Sequence, residues 1–352
     1  MHSPIAPQPK RRKRLPASLL CLLASAFGFV LPLHSAPAPA DAGKLAPKPL
    51  YRDPIYDGAA DPTLIWDKLE KKWLMFYTDR RANVPGLEGV LWLHKTPVNI
   101  AESSDGGATW TYRGTLKVPY GKPDYTYWAP EIVSDGALYH MFLTVVPGTF
   151  RDWNAPREII HLTSPNLKDW TFISSLPLAS DRVIDPCVFH LPNGTWRLWY
   201  KNERDHSHIY YSDSPDLTHW SGGGPTITDR SGEGPIVFRW KDRYWMVTDV
   251  WHGLGVYSSQ DATHWTAQPN NLLERPGVIP TDRSQGHHAD VIVSGGRAFL
   301  FYFVHQKDAD LQPNLLNSAR RTVLQVTELH LANGQLTCDR NQPTHILLLP
   351  PQ

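Results

Sequence analysis

"EGPIVFRWKDRYWMVTD", Glu233 to Asp249, reads as two short strands around a charged turn, with aromatic and β-branched residues on both sides. The same unit recurs along the chain. A first strand opens at "ADPTLIWD" (Ala60), "WAPEIVSD" (Trp128), "IDPCVFHL" (Ile184), "EGPIVFRW" (Glu233) and "HADVIVSG" (His288). A second strand follows each time: "KKWLMFYTD" (Lys71), "GALYHMFLTV" (Gly136), "NGTWRLWYK" (Asn193), "KDRYWMVTD" (Lys241) and "GGRAFLFYFVH" (Gly295). The turns between them are of the Asn-Gly and Asp-Gly kind that closes hairpins. A third segment ends four of the units on tryptophan: "SSDGGATW" at Trp110, "SPNLKDW" at Trp170, "SPDLTHW" at Trp220 and "SQDATHW" at Trp265.

Those four tryptophans stand 60, 50 and 45 residues apart, close to the length of one four-stranded blade. Five repeats of one hairpin predict an all-β, five-bladed β-propeller. A β-sandwich also supplies many short strands, but it does not require each unit to restart with the same hairpin. The tail from Arg321 to Arg340 reads as two further strands around Asn333-Gly334 that complete the last blade.

Residues 1–40 read as a secretory signal and short linker. The basic run "KRRKR" (Lys10 to Arg14) precedes the apolar "LLCLLASAFGFVLPL", and small residues follow. Residues 41–352 then form a single propeller domain, secreted or periplasmic. Five of the 35 Lys and Arg residues lie in Lys10 to Arg14, so the remaining basic residues are outnumbered by 34 acidic ones. That balance argues against nucleic-acid or membrane partners. Cys187 and Cys338, the two cysteines beyond the leader, are too few for a disulfide scaffold or a cysteine zinc site.

In a propeller, the residues that open the first strand of each blade converge at one end of the central channel. Asp61, the Ala129/Glu131 neighbourhood, Asp185, Glu233 and the group His287, His288 and Asp290 are therefore expected at one site. Three acids there, Asp61, Asp185 and Glu233, come from three blades and are expected at equivalent repeat positions. Like charges and burial push some of their pKa values up. Such a set suits paired acid and base work on a glycosidic bond.

The segments "ADP" at Asp61, "WAPE" at Trp128, "IDP" at Asp185, "GEGP" at Glu233 and "GHHADV" at Gly286 resemble the five-bladed glycoside hydrolases of family 43 and the related family 117, which includes the neoagarobiose hydrolases. The resemblance spans about residues 50 to 340. It implies an inverting hydrolase of plant or algal wall oligosaccharides, containing arabinose, xylose, galactose or anhydrogalactose. It also implies Asp61 as general base, Asp185 as the group that positions the acid and adjusts its pKa, and Glu233 as general acid. Gly232 stands where a histidine precedes the glutamate in neoagarobiose hydrolases.

Arg80, Arg81, Tyr127, Trp128, Glu131, Lys201, Glu203, Trp251, His252, His287 and His288 are the substrate-binding candidates. They lie at strand openings or on the loops beside the axis, and their donor and acceptor mix suits sugar hydroxyls. The insertion after Arg81 is long enough to wall a pocket, which predicts removal of one terminal sugar at a time. No cofactor or catalytic metal is required. A structural calcium or other cation near His287 and His288 fits the residue types, although adjacent strand residues point to opposite faces. The expected partner is an oligosaccharide, and a monomer is favoured.

Competing readings remain. "SSDGGATW" fits the turn found in sialidases, but the strand starts lack the three arginines such an enzyme needs. A glycoside phosphorylase would dispense with a base at Asp61 and want a basic phosphate cradle. A secreted sugar-binding propeller would use the three acids only to hold hydroxyls.

Overall fold

The computed structural model describes residues 43–306 and 318–351; the expected leader lies outside them. Strand β1 (Lys44–Leu45) precedes five four-stranded antiparallel blades. Blade 1 holds β2 (Ala59–Asp67), β3 (Lys72–Asp79), β4 (Val98–Ser103) and β5 (Thr111–Thr115). Blade 2 holds β6 (Thr126–Ser134), β7 (Tyr139–Val146), β8 (Glu158–Ser164) and β9 (Thr171–Ser175). Blade 3 is β10 (Val183–His190), β11 (Trp196–Asn202), β12 (His208–Ser214) and β13 (Ser221–Ile227). Blade 4 is β14 (Glu233–Trp240), β15 (Arg243–Asp249), β16 (Leu254–Ser259) and β17 (Thr266–Ala267). Blade 5 is β18 (Gly286–Ser294), β19 (Arg297–His305), β20 (Thr322–Ala332) and β21 (Gln335–Cys338).

The innermost strands β2, β6, β10, β14 and β18 touch in a closed ring. As the tail pattern predicts, β20 and β21 complete blade 5 without borrowing a strand from the N-terminus. Closure instead uses β1 paired with β22 (His345–Ile346) and the pairing of Tyr51 with Leu324. The hairpins follow local chemistry. Lys241-Asp242, Gly295-Gly296 and Asn333-Gly334 all take positive φ at both turn residues, the geometry whose twist matches that of the flanking strands.

Most tryptophans are filler between blades. Trp170 of blade 2 stands edge-on to Phe76 of blade 1 at 6.4 Å, and Trp220 of blade 3 to Phe142 of blade 2 at 5.5 Å. Trp265 of blade 4 meets Trp199 of blade 3 in the same way at 6.3 Å. Each repeated turn thus plugs the gap to the preceding blade, and such edge-to-face pairs add about 1 kcal/mol beyond their area. The turns are held locally: Ser259, Thr263 and His264 all hydrogen-bond Asp261, and Ser214, Thr218 and His219 bond Asp216 likewise. Cys187 and Cys338 are separate free thiols.

The inner strands carry the feature that positions the site. Each has a β-bulge near its start, where the register with the second strand slips. Asp61, Ala129, Asp185 and Gly234 occupy the bulge with φ between 44° and 59°, and a proline follows each. Proline suits a bulge because it has no N–H to leave unpaired. A left-handed conformation costs a non-glycine residue about 1–2 kcal/mol, so the neighbours must hold it. They do, across the blade boundary: Ala129 N–H donates to Thr78 Oγ1 (2.8 Å) and Asp185 N–H to Thr144 Oγ1 (3.0 Å). Gly234 N–H donates to Asp185 Oδ2 (3.0 Å) and His288 N–H to Asp249 Oδ2 (3.2 Å).

Two residues further along, a second ring of braces lies buried on the axis. Leu64 N–H donates to Asp290 Oδ2 (2.7 Å), Val188 N–H to Glu131 Oε1 (3.0 Å) and Val237 N–H to the Cys187 sulfur (3.2 Å). Thr63 Oγ1 donates to Glu131 Oε2 (3.2 Å). Glu131 therefore corrects its sequence assignment: it is an inter-blade tie and does not line the pocket at the channel mouth. Burial, with the charge of Asp290 adding to it, pushes the Glu131 carboxyl up to about 8, and burial pushes Asp290 up to about 6.

Raised folded-state values mean that the folded protein holds these protons more tightly than the unfolded chain. Their stabilising contribution is complete below the unfolded values, about 4.5 for Glu131 and about 3.8 for Asp290, and is lost as pH rises through the folded ones. The melting temperature should therefore fall by several degrees between pH 5 and pH 8, and Glu131→Gln should flatten that slope. Asp79, pushed up to about 10 chiefly by burial and then by Asp53, leaves a residual slope in the variant. Thermal melts across that range test this, and identical slopes in both proteins would refute it.

Candidate active site

The bulges deliver the acids to one place. A pocket of about 400 Å³ at the mouth of the channel is lined by Asp61, Arg80, Leu93, Trp128, Trp153, Arg157, Ile184, Asp185, Lys201, Glu203, Glu233, Trp251 and His288. Asp61, Asp185 and Glu233 are thus together, as expected, but not at equivalent positions. Asp61 and Asp185 are the bulge residues themselves, whereas Glu233 precedes its bulge residue, Gly234. The His288 ring explains the displacement: a Cβ at Gly234 would lie 2.6–2.8 Å from its atoms. Glycine is forced there, and the acid stands one residue earlier.

Each carboxylate has its own surroundings. Asp61 accepts a hydrogen bond from Arg80 Nη2 at 3.2 Å and lies 3.5 Å from His288 Nδ1. Arg80 in turn lies over the Phe303 ring at 4.3 Å. Asp185 is buried; it accepts the Gly234 N–H and stands 4.0 Å from His288 Nδ1. Burial pushes its carboxyl up to about 7, against the pull of His288 and Lys201.

Glu233 sits differently. Its Oε2 accepts from Lys201 Nζ at 2.8 Å and its Oε1 from the Trp251 indole N–H at 3.0 Å. Burial works against its charge, yet Lys201 outweighs that and holds the carboxyl below the usual glutamate range. Lys201 belongs to a repeated position. Thr78, Thr144, Lys201 and Asp249 all occupy the residue of the second strand that reaches the next blade's bulge. In blade 3 a lysine replaces threonine and grips a side chain where the others accept a backbone N–H.

Glu203 stands on the far side of Lys201 from Glu233, with Arg157 Nε at 3.2 Å, Arg182 Nε at 3.3 Å and Lys201 Nζ at 3.4 Å. Arg157 is buried, with its guanidinium 5.5 Å from the Trp128 ring centre and 6.0 Å from that of Trp153. Trp153 and Trp251 are the half-exposed aromatics of the pocket, at 48% and 41% exposure, and so remain open to a flat apolar face.

Of the expected contacts, Arg80, Trp128, Lys201, Glu203, Trp251 and His288 line the pocket. Arg81 does not: its Nη2 donates to the Leu91 carbonyl and shapes its own loop. Tyr127 turns away to donate to the Tyr120 carbonyl and packs between blades 1 and 2. His252 is exposed beside the pocket and contributes its carbonyl to Asn271. His287 stacks on Phe303 and pairs with Asp249 at 3.0 Å, on the side away from His288, whose Nδ1 faces Asp61. Leu93, Trp153, Arg157 and Ile184 were missed. Leu93 and Trp153 come from long loops between strands, where no periodicity marks an inward residue; Ile184 precedes Asp185 and could have been inferred from the repeat.

Among the described residues no group of three or more His, Cys, Asp or Glu side chains could hold a metal ion. His288 Nδ1 faces Asp61 and His287 Nδ1 faces Asp249, so the two histidines already serve carboxylates.

No family model matches the sequence, and no curated protein matches it. Solved structures do match. A thermostable family-43 glycoside hydrolase is 20% identical, with a TM-score of 0.60, covering 86% of this chain and 99% of its own. The GH43_1 enzyme from Xanthomonas citri in complex with xylose is 13% identical at a TM-score of 0.59, covering 79% and 89%. A GH43 β-1,3-galactosidase with galactodeoxynojirimycin is 14% identical at 0.58, covering 84% and 97%. The likeness extends over nearly the whole length of each, and this chain has the five-bladed β-propeller fold of those family-43 glycoside hydrolases.

Proposed function

We propose that the protein is an inverting glycoside hydrolase that removes terminal sugars from plant or algal wall oligosaccharides. One observation carries the reading: Asp61, Asp185 and Glu233, from three blades, share one pocket with half-exposed tryptophans on a propeller with the fold of family-43 hydrolases. Xylose and galactodeoxynojirimycin are bound by proteins of the same fold, which supports pentose- or galactose-type substrates. Leu93 and Trp153, from the loops around residues 80–94 and 147–158, wall the pocket, which favours exo action. An enzyme with the leader read at residues 1–40 would act outside the cytoplasm.

In this mechanism Asp61 takes a proton from the attacking water, while Glu233 protonates the departing glycosidic oxygen. Arg80 and His288 orient Asp61. Asp185, fixed by the Gly234 N–H, keeps the segment carrying Glu233 in place and raises the local cost of a second charge. The sugar ring would lie against Trp128, Trp153 and Trp251. The cations of the pocket are committed to acids: Arg80 to Asp61, Arg157 to Glu203, and Lys201 to Glu233 and Glu203. That disfavours a phosphorylase, which would need a free basic cradle.

Proton NMR of the anomer released from a panel of wall oligosaccharides, with and without phosphate, tests the reading. A free sugar of inverted configuration without phosphate is expected; turnover that depends on phosphate, or binding without turnover, would replace it. Substitution should separate the roles. Glu233→Ala should lose about 10²–10⁴-fold on alkyl glycosides and much less on activated aryl glycosides, whose leaving group needs no proton. Asp61→Asn should lose a similar factor on both. Equal small losses in the two variants would refute the assignment.

A further inference from the structure

The surroundings of Glu233 favour its ionised form, whereas an acid needs a proton there, and Lys201 stands between two carboxylates. Both carboxylate oxygens already accept hydrogen bonds, Oε2 from the Lys201 ammonium at 2.8 Å and Oε1 from Trp251 at 3.0 Å. The ammonium beside Oε2 stabilises the ionised carboxylate, so while Lys201 grips Glu233 the proton that an acid must carry is disfavoured. Lys201 has a second acceptor within reach: Glu203 Oε1 lies 3.4 Å from the same nitrogen. The Lys201 side chain is only 6% exposed and passes 5.3 Å from the Trp251 ring centre, so its ammonium has these two carboxylates as seats. The other charged groups facing the two carboxylates are Asp185 and His288 beside Glu233, and Arg157 and Arg182 beside Glu203.

We propose that Lys201 is a two-seat switch on Glu233: sugar entering the pocket passes its ammonium to Glu203, and Glu233 becomes able to carry the catalytic proton. This rests on the hydrolase reading above. With Lys201 moved, Glu233 takes one proton from solvent and gives it to the glycosidic oxygen as the C–O bond breaks. Water forms the new bond to the anomeric carbon and loses its proton to Asp61, which returns it to solvent. Lys201 and Glu203 are positioning residues in this scheme, and the acid is armed only when sugar is present. The burial of Lys201 makes the hand-over effective, because shifting a buried charge changes a neighbour's proton affinity more than shifting an exposed one.

The test pairs kinetics with a direct titration. Wild type, Glu203→Gln, Glu203→Asp and Lys201→Met are assayed on 2,4-dinitrophenyl and methyl glycosides of xylose, arabinose and galactose. Glu203→Gln removes the second seat and should lose at least tenfold in kcat on methyl glycosides while nearly retaining the dinitrophenyl rate. The basic limb of its kcat profile should move to lower pH, since Lys201 stays on Glu233, and Glu203→Asp should restore part of the loss. By ¹³C NMR of labelled carboxyls in the sugar-free proteins, Glu233 should titrate below the ordinary range in wild type and above it in Lys201→Met. Equal losses on both leaving groups with an unmoved pH limb would make Glu203 merely structural and overturn the switch. An unchanged Glu233 titration in Lys201→Met would do the same. Absence of turnover on every glycoside would remove the hydrolase reading itself, and the switch with it.

Discussion

The structure depends on a brace repeated across the blade boundaries. At the start of each inner strand the chain bulges, and in blades 1 to 4 the bulge residue is left-handed. That conformation is unfavourable in isolation. It persists in blades 2 to 4 because a side chain of the preceding blade receives the bulge N–H, from Thr78, Thr144 or Asp185. In blade 5 Asp249 receives the N–H of His288. A brace of this kind locks neighbouring blades in register, and the bulge side chains Asp61 and Asp185 reach the channel mouth.

The same brace shows how chemistry is introduced without changing the frame. Where blades 1 and 2 use threonine, blade 3 carries Lys201, which reaches past the backbone to the Glu233 carboxylate. Where the other blades tolerate a side chain at the bulge, blade 4 has Gly234 because the His288 ring occupies that space, and its acid is displaced by one residue. The result is an asymmetric site on a nearly symmetric ring. Asp61 is paired with an arginine, Asp185 is buried and pushed up to about 7, and Glu233 is held ionised by a lysine. Asp185 and Glu233, crowded together with Asp61, are pushed in opposite directions by what each blade places beside them.

Beneath the site, Glu131 and Asp290 show the cost of holding blades together with carboxylates on a dry axis. Both satisfy backbone N–H groups of other blades or their own, and burial raises the pKa of both. They resemble catalytic acids in sequence, since they stand two residues beyond the bulge position. Their role is decided by depth along the channel: the bulge residues reach the pocket, and the residues two further on are sealed under it.

The repeated hairpin and the spaced tryptophan turns were enough to read five blades, because strand alternation and turn chemistry are local properties of the chain. The convergence of Asp61, Asp185 and Glu233 was legible for the same reason: strand starts meet on a propeller axis. The sequence could not say that Tyr127 and His287 face away while Trp128 and His288 face in, since a bulge breaks the period-two rule where it matters. Nor could it reveal Trp153 and Arg157, which reach the pocket from a loop without periodicity, or the Lys201 contact with both Glu233 and Glu203. By itself the sequence determined the number of blades and the three acids. The tertiary structure decided which neighbour each acid meets, because charge pairing and burial act between blades that are distant along the chain.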